Sequence, residues 1–105
     1  MTLTAKQLAD GQLASTQTTI YTTPASTTTY LKTVTLSNTG AAANTCQLWL
    51  LPSGGTARRL AYVTLQANET FTLDSPLVMD TADALQGQAT SASEVDYTMH
   101  GVEEA

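Results

Sequence analysis

Apolar and polar residues alternate along this chain in short blocks, each closed by turn-forming residues. The first clear block is Thr18 to Thr22, stopped by Pro24. The longest runs from Thr27 to Asn38. In it Tyr30, Val34 and Leu36 fall on one face and Thr33, Thr35 and Ser37 on the other, the period of two expected of a half-buried strand. Lys32 breaks the apolar face and is expected to reach water from near the strand edge. Asn38-Thr39-Gly40 then supplies residues that tolerate a reversal. From Thr45 to Leu51, Cys46, Leu48 and Leu50 share a face opposite Gln47, Trp49 and Leu51. Bulk on both faces predicts a central or covered strand.

Pro52-Ser53-Gly54-Gly55 is the strongest turn signal. Arg58 to Leu65 follows, then Glu69 to Asp74 with Phe71 and Leu73 inward, a break at Ser75-Pro76, and Leu77 to Met79. Leu85 to Thr90 reads as a weak strand. Glu94 to Val102 closes the pattern, with Val95, Tyr97 and Met99 alternating against Asp96, Thr98 and His100. About eight strands with turns every eight to twelve residues predict an all-β fold. The expected architecture is a single antiparallel β-sandwich, jelly-roll or Ig-like.

Residues 1–15 lack this period. Thr4 to Ala9 reads either as one or two helical turns, capped by Thr4 and stopped by Gly11, or as an extended arm. The expected division is therefore an N-terminal arm over 1–15 and a sandwich domain over 16–105. The same stretch lacks a basic start, an apolar core and a cleavage site, which argues against a classical signal peptide.

Composition narrows the function classes. The 105 residues suffice for one domain. Only 12% are charged, and Thr fills 21 positions and Ala 15. Four basic residues face nine acidic ones, giving a formal charge of −5, so few phosphates can be neutralised and nucleic acid is not an expected partner. No apolar run approaches the ~20 residues of a membrane helix, and no membrane partner is expected. Outward Thr faces are polar yet carry little charge, which suits close contact between protein copies.

The chemistry-bearing residues are sparse. Cys46 is the lone cysteine and His100 the lone histidine, which excludes an intrachain disulfide and paired-cysteine zinc sites. They are expected to be a core residue and a surface residue, not a thiolate–imidazole pair. Asp74, Asp80 and Asp83 are expected to serve turns in preference to a calcium site. Asn68-Glu69-Thr70 fits an N-glycosylation pattern that lacks an export signal to give it meaning. No cofactor and no enzymatic activity are expected. The residues singled out for an interface or a ligand are Trp49, Tyr21, Tyr30 and Tyr62. Trp49 is expected to pack in the core or against another subunit; the alternative is a flat sugar-stacking platform shared with the tyrosines.

Tyr21-Thr22-Thr23-Pro24, Val34-Thr35-Leu36-Ser37-Asn38-Thr39-Gly40, Leu48-Trp49-Leu50-Leu51-Pro52-Ser53-Gly54-Gly55, Leu65-Gln66-Ala67-Asn68-Glu69-Thr70 and Gly101-Val102-Glu103-Glu104 together form a layout of strands and turns. This layout, from Gln12 to Glu104, resembles small β-sandwich virion proteins of tailed bacteriophages, of the head-decoration, head-fibre and tail-associated type. The resemblance implies a non-enzymatic virion protein, most simply a capsid decoration protein. Its implied partners are other copies of itself, with a trimer favoured, and the major capsid protein or other virion proteins. A carbohydrate- or cell-surface-binding module is the alternative.

Overall fold

The computed structural model describes residues 2–74 and 76–105; Ser75, placed above in the break before Pro76, lies outside them, as does Met1. Nine strands follow in order: β1 (Leu3–Gln12), β2 (Thr18–Thr22), β3 (Thr28–Asn38), β4 (Asn44–Leu51), β5 (Arg58–Leu65), β6 (Thr70–Leu73), β7 (Leu77–Met79), β8 (Ala84–Gln88) and β9 (Val95–Glu104). One sheet has the order β1-β9-β3-β6, with β7 also pairing β3; the other has the order β2-β8-β4-β5. Every pairing is antiparallel.

This order resolves the choice between sandwich types. The first strand pairs with the last, β2 with β8, β3 with β6, and β4 with β5. The chain is thus a long ribbon, doubled at the β4–β5 turn and wound so that alternate pairs enter opposite sheets. That is a jelly roll. The tight turn Pro52–Gly55 forms the doubling point: Gly55 N–H donates to the Pro52 carbonyl at 2.9 Å, and Gly54 has a φ of 71°.

The core lies between the sheets. Leu31, Val34 and Leu36 of β3 and Val95, Tyr97 and Met99 of β9 meet Tyr21, Cys46, Leu48, Leu65 and Leu85 of the opposite sheet. Each buried Leu or Met contributes roughly 1.5–3 kcal/mol by leaving water. Partly buried Phe71, Leu73 and Leu77 close the side. β4, flanked by β8 and β5, is central, as the bulk on both its faces predicts.

Two expectations are corrected. First, Tyr30 does not share a face with Val34. Register slips between Leu31 and Thr33, so Lys32 is the extra residue of a β-bulge. A bulge inverts the parity of the strand that follows. Thr29 and Leu31 therefore point inward before it and Val34 and Leu36 after it, while Tyr30 points outward and Lys32 is exposed. Second, the helical turn at Thr4 to Ala9 is absent. Those residues lie in β1, which pairs with β9 from Leu3↔Glu104 to Gln12↔Asp96. The chain ends are tied at the same place by reciprocal bonds between Thr2 and Ala105. As an edge strand exposed on both faces except at Leu8 and Ala9, β1 needs no apolar alternation, and the unpaired edge of β9 supplies the order that its own sequence does not.

Candidate binding surfaces

Neither the lone thiol nor the lone imidazole builds a reactive pair. Cys46 points into the core from β4, fully buried, and burial pushes its thiol up to about 11. His100 is exposed on the outer side of β9, in the other sheet. Among the described residues no group of three or more His, Cys, Asp or Glu side chains is placed to hold a metal ion. Asp83 instead accepts hydrogen bonds from the backbone N–H of Ser53 at 2.8 Å and of Asp80 at 3.0 Å, which is turn duty. Asn68 sits at φ 64° in the β5–β6 turn.

The four aromatic candidates separate. Tyr21 is buried at one end of the sandwich, where its hydroxyl bridges Thr29 Oγ1 at 2.7 Å and Glu103 Oε2 at 2.6 Å. Burial, then the Glu103 bond, push its phenol up to about 12, so it stays protonated and donates to Glu103. Glu103 also meets Lys6 at 3.2 Å. The Tyr21 bond and Lys6 together hold the Glu103 carboxyl below the usual range against the opposing effect of burial. Tyr30 lies on the outer face of the first sheet and donates to Glu104 at 3.2 Å. It borders an apolar concavity of about 450 Å³ with Leu3, Leu77, Val78 and Val102.

Trp49 and Tyr62 come together on the outer face of the second sheet. β4 alternates strictly, with Asn44, Cys46 and Leu48 buried and Thr45, Gln47 and Trp49 turned outward. Pairing carries that parity to its neighbours: Gln47 opposes Tyr62 and Gln88, and Trp49 opposes Arg59 and Gln86. Trp49 is half-buried, Tyr62 is 60% exposed, and the Arg59 guanidinium lies 4.9 Å from the Tyr62 ring centre. Trp49 is therefore not a core residue. Sequence parity alone puts Gln47 beside Trp49, but Arg59 and Gln86 join them only through a register with a slip between Leu48 and Trp49.

Away from Tyr30, part of the outer face of the first sheet is built of hydroxyls. Thr35 opposes Thr72 on one side and Thr98 on the other, and Ser37 opposes Thr70 and Asp96. Ser37 and Thr70 hydroxyls meet at 3.2 Å. At the end remote from Tyr21, buried Asn38 and Asn44 join three turns. Asn38 Nδ2 donates to the carbonyls of Ala42, Leu65 and Gln66, and its Oδ1 accepts from Gly40 N–H and Asn44 Nδ2. Asn44 in turn donates to Glu94 and accepts from Ser91 N–H. The sequence marked Asn38 only as a strand breaker.

No protein-family model matches the chain, and a search of curated proteins finds no match. Solved structures do share the fold. A structure of Bacillus endospore appendages, disulfide-linked pili, matches with TM-score 0.56 at 16% identity over 99% of this chain and 88% of that one. One chain of infectious bursal disease virus, Gx strain, matches with TM-score 0.52 at 12% identity over 97% of this chain but only 31% of its own length. Anabaena sensory rhodopsin transducer matches with TM-score 0.50 at 16% identity, covering 92% and 94%. At these identities the matches show a likeness of fold alone. With its one cysteine in the core, this chain does not present a thiol for a disulfide between copies.

Proposed function

We propose that this protein is a non-enzymatic structural subunit of a bacteriophage particle, a capsid decoration protein that sits on the assembled shell as a homo-oligomer of three copies. The observation that carries the reading is the outer face of the first sheet. Its rows Thr72–Thr35–Thr98 and Thr70–Ser37 across β6, β3 and β9 present short hydroxyls with no long charged side chain among them. Short hydroxyls lose little rotamer freedom on contact, whereas each Lys or Glu immobilised costs up to about 2 kcal/mol. Hydroxyls already bonded to one another, as Ser37 is to Thr70, cost less to desolvate. The face thus suits close, repeated contact with protein. The net charge of −5 favours solubility before assembly and disfavours the packaged nucleic acid. Several weak contacts at the fixed spacing of a lattice then add to firm attachment.

Sedimentation with undecorated, expanded capsids tests this. The protein is expected to pellet with capsids at a saturating ratio and to ignore free capsid subunits. Light scattering is expected to give three times the chain mass. Thr35→Lys with Thr98→Lys is expected to abolish pelleting while leaving the melting temperature within a few degrees. Wild-type protein that stays in the supernatant refutes the reading.

A further inference from the structure

From the geometry we infer that the second sheet carries a binding surface of its own. The outer face of β2-β8-β4-β5 binds an acidic oligosaccharide, stacking one sugar ring on Trp49 and receiving a neighbouring carboxylate on Arg59. Trp49 and Arg59 are directly paired across β4 and β5. Directly opposed residues hold their Cβ atoms about 4.5–5.5 Å apart, so an indole and a guanidinium stand side by side on one face. A pyranose ring offers an apolar C–H face and a polar rim, which an aromatic plane bordered by amides matches. The electron-rich face of Trp attracts those C–H groups.

The flanking groups supply the rim. Gln47 lies two residues before Trp49 on the same face, and Gln86 opposes Trp49 from β8. Gln86 is held in place: Gln17 Nε2 donates to its Oε1 at 2.6 Å, and its own Nε2 donates to Thr19 Oγ1 at 3.4 Å. Tyr62 orients Arg59 through its ring face at 4.9 Å, a contact that fixes a guanidinium without consuming its N–H donors. The planar fork of Arg then matches a carboxylate through two parallel hydrogen bonds.

Charge selects the acidic class. In a chain of nine acids and four bases, the paired rows Tyr62–Gln47–Gln88, Arg59–Trp49–Gln86–Thr19 and Thr64–Thr45 hold no carboxylate. The only formal charge in these rows is the cation of Arg59. A neutral glycan would make no use of that charge, and a cationic ligand would be repelled.

The test uses the full chain on immobilised polygalacturonate, hyaluronan and sialyllactose, each beside a neutral counterpart: methyl-esterified polygalacturonate, methyl-esterified hyaluronan and lactose. At least one acidic probe is expected to bind at least tenfold more tightly than its neutral partner, and the preference is expected to shrink at 0.5 M salt, where the Debye length falls to ~4 Å. Trp49→Ala is expected to lose at least tenfold affinity. Arg59→Lys, an exposed change that keeps the positive charge, is expected to reduce the preference for acid over ester by losing the two parallel hydrogen bonds, while retaining stacking. Failure of all three acidic probes overturns the inference, as does equal binding of acid and ester. A change of oligomer mass in Arg59→Lys also overturns it, since the face would then join copies of the chain. Capsid pelleting by Arg59→Lys is expected to match wild type, which keeps this result separate from that of the Thr face.

Discussion

Replacing Asn38 by Ala removes one side chain that fastens two turns at once, the β3–β4 turn and the β5–β6 turn. Its Nδ2 donates to the Ala42, Leu65 and Gln66 carbonyls at 2.8, 3.0 and 3.2 Å, and its Oδ1 accepts from Gly40 N–H at 3.0 Å and Asn44 Nδ2 at 3.2 Å. Two protons on Nδ2 serve three carbonyls, so about two full donated bonds are lost. The backbone bonds of Asn38 to Glu69 and Asn68 survive the substitution. The carbonyls of Ala42 and Gln66 can turn to water. The Leu65 carbonyl is the group left in the interior, and a buried group without a partner costs about 1–3 kcal/mol. Adding about 1 kcal/mol for the exposed-side bonds gives a loss of about 2–4 kcal/mol. Against a total of about 5–15 kcal/mol that is a large share. For a domain of this size it lowers the melting temperature by about 10–25 °C. Differential scanning calorimetry on Asn38→Ala reads the effect, with exposed Ala42→Ser as the control. Asn38→Asp is expected to be at least as damaging, because it exchanges both donors for a charge that faces carbonyls. A drop for Asn38→Ala below ~4 °C, on the order of one kcal/mol, would falsify the claim that this side chain holds the turns together.

The remaining predictions concern other elements. Glu103 titrates below the usual carboxylate range. Its contribution to stability is therefore complete above the ordinary pKa of about 4.3 and is lost as pH falls through the lower, folded value; an acid melting series should show this slope, and Glu103→Gln should flatten it. In Gly101→Ala the new Cβ meets the Tyr30 carbonyl of the adjacent strand and stands 3.0 Å from Leu8 Cδ1, so a loss of about 1–3 kcal/mol is expected in urea unfolding, and wild-type stability would contradict the packing. Cys46, buried and with its thiol pushed up to about 11, is expected to react with a thiol reagent only in denaturant; rapid labelling of the native protein would contradict its placement. Deleting residues 1–12 removes an edge strand with eight of its ten residues exposed, so a β-type circular dichroism spectrum is expected to persist at a lower melting temperature, and a disordered spectrum would mean that β1 is integral to folding.

Eight of the nine strands were legible because each carries a buried face or a firm turn signal. Cys46 and Leu48 of β4 and Val95, Tyr97 and Met99 of β9 alternate as period two demands and are buried as it predicts. β1 was not legible. Leu-Thr-Ala-Lys-Gln-Leu is rich in good helix formers, and at a sheet edge with both faces wet there is no core to impose alternation. Hydrogen bonding along β9 overrides that propensity. Tyr30 was misplaced for a related reason: a bulge adds one residue that no composition marks, and only the slip in pairing at Lys32 shows where the parity turns over. At the candidate surfaces, the outward direction of Trp49 was open to a sequence argument and its neighbours were not. Arg59 reaches Trp49 because Leu60 falls at a register slip, a long-range fact about two strands.

The two polar clusters explain how so lightly charged a chain keeps its faces free. β3 runs the length of the sandwich, with Thr29 near one end and Asn38 at the other, nine residues or roughly 30 Å apart. At the first end Tyr21, Thr29, Glu103 and Lys6 close the gap between the sheets. At the second, Asn38, Asn44 and Glu94 do so. Both clusters hydrogen-bond their buried polar groups within the fold. The outer faces carry none of that duty. Thr35, Thr98, Trp49 and Arg59 point away from the core, and substitutions at Thr35, Thr98 and exposed Arg59 are expected to leave folding almost untouched. On the proposed reading, stability and association rest on different parts of the same small domain. A variant at Asn38 or Tyr21 should lose folding and binding together, whereas a variant at Thr35, Thr98 or Arg59 should weaken one kind of binding and keep its melting temperature. That separation lets the proposed capsid attachment by the Thr face and the proposed glycan attachment by the Trp49 face be measured independently.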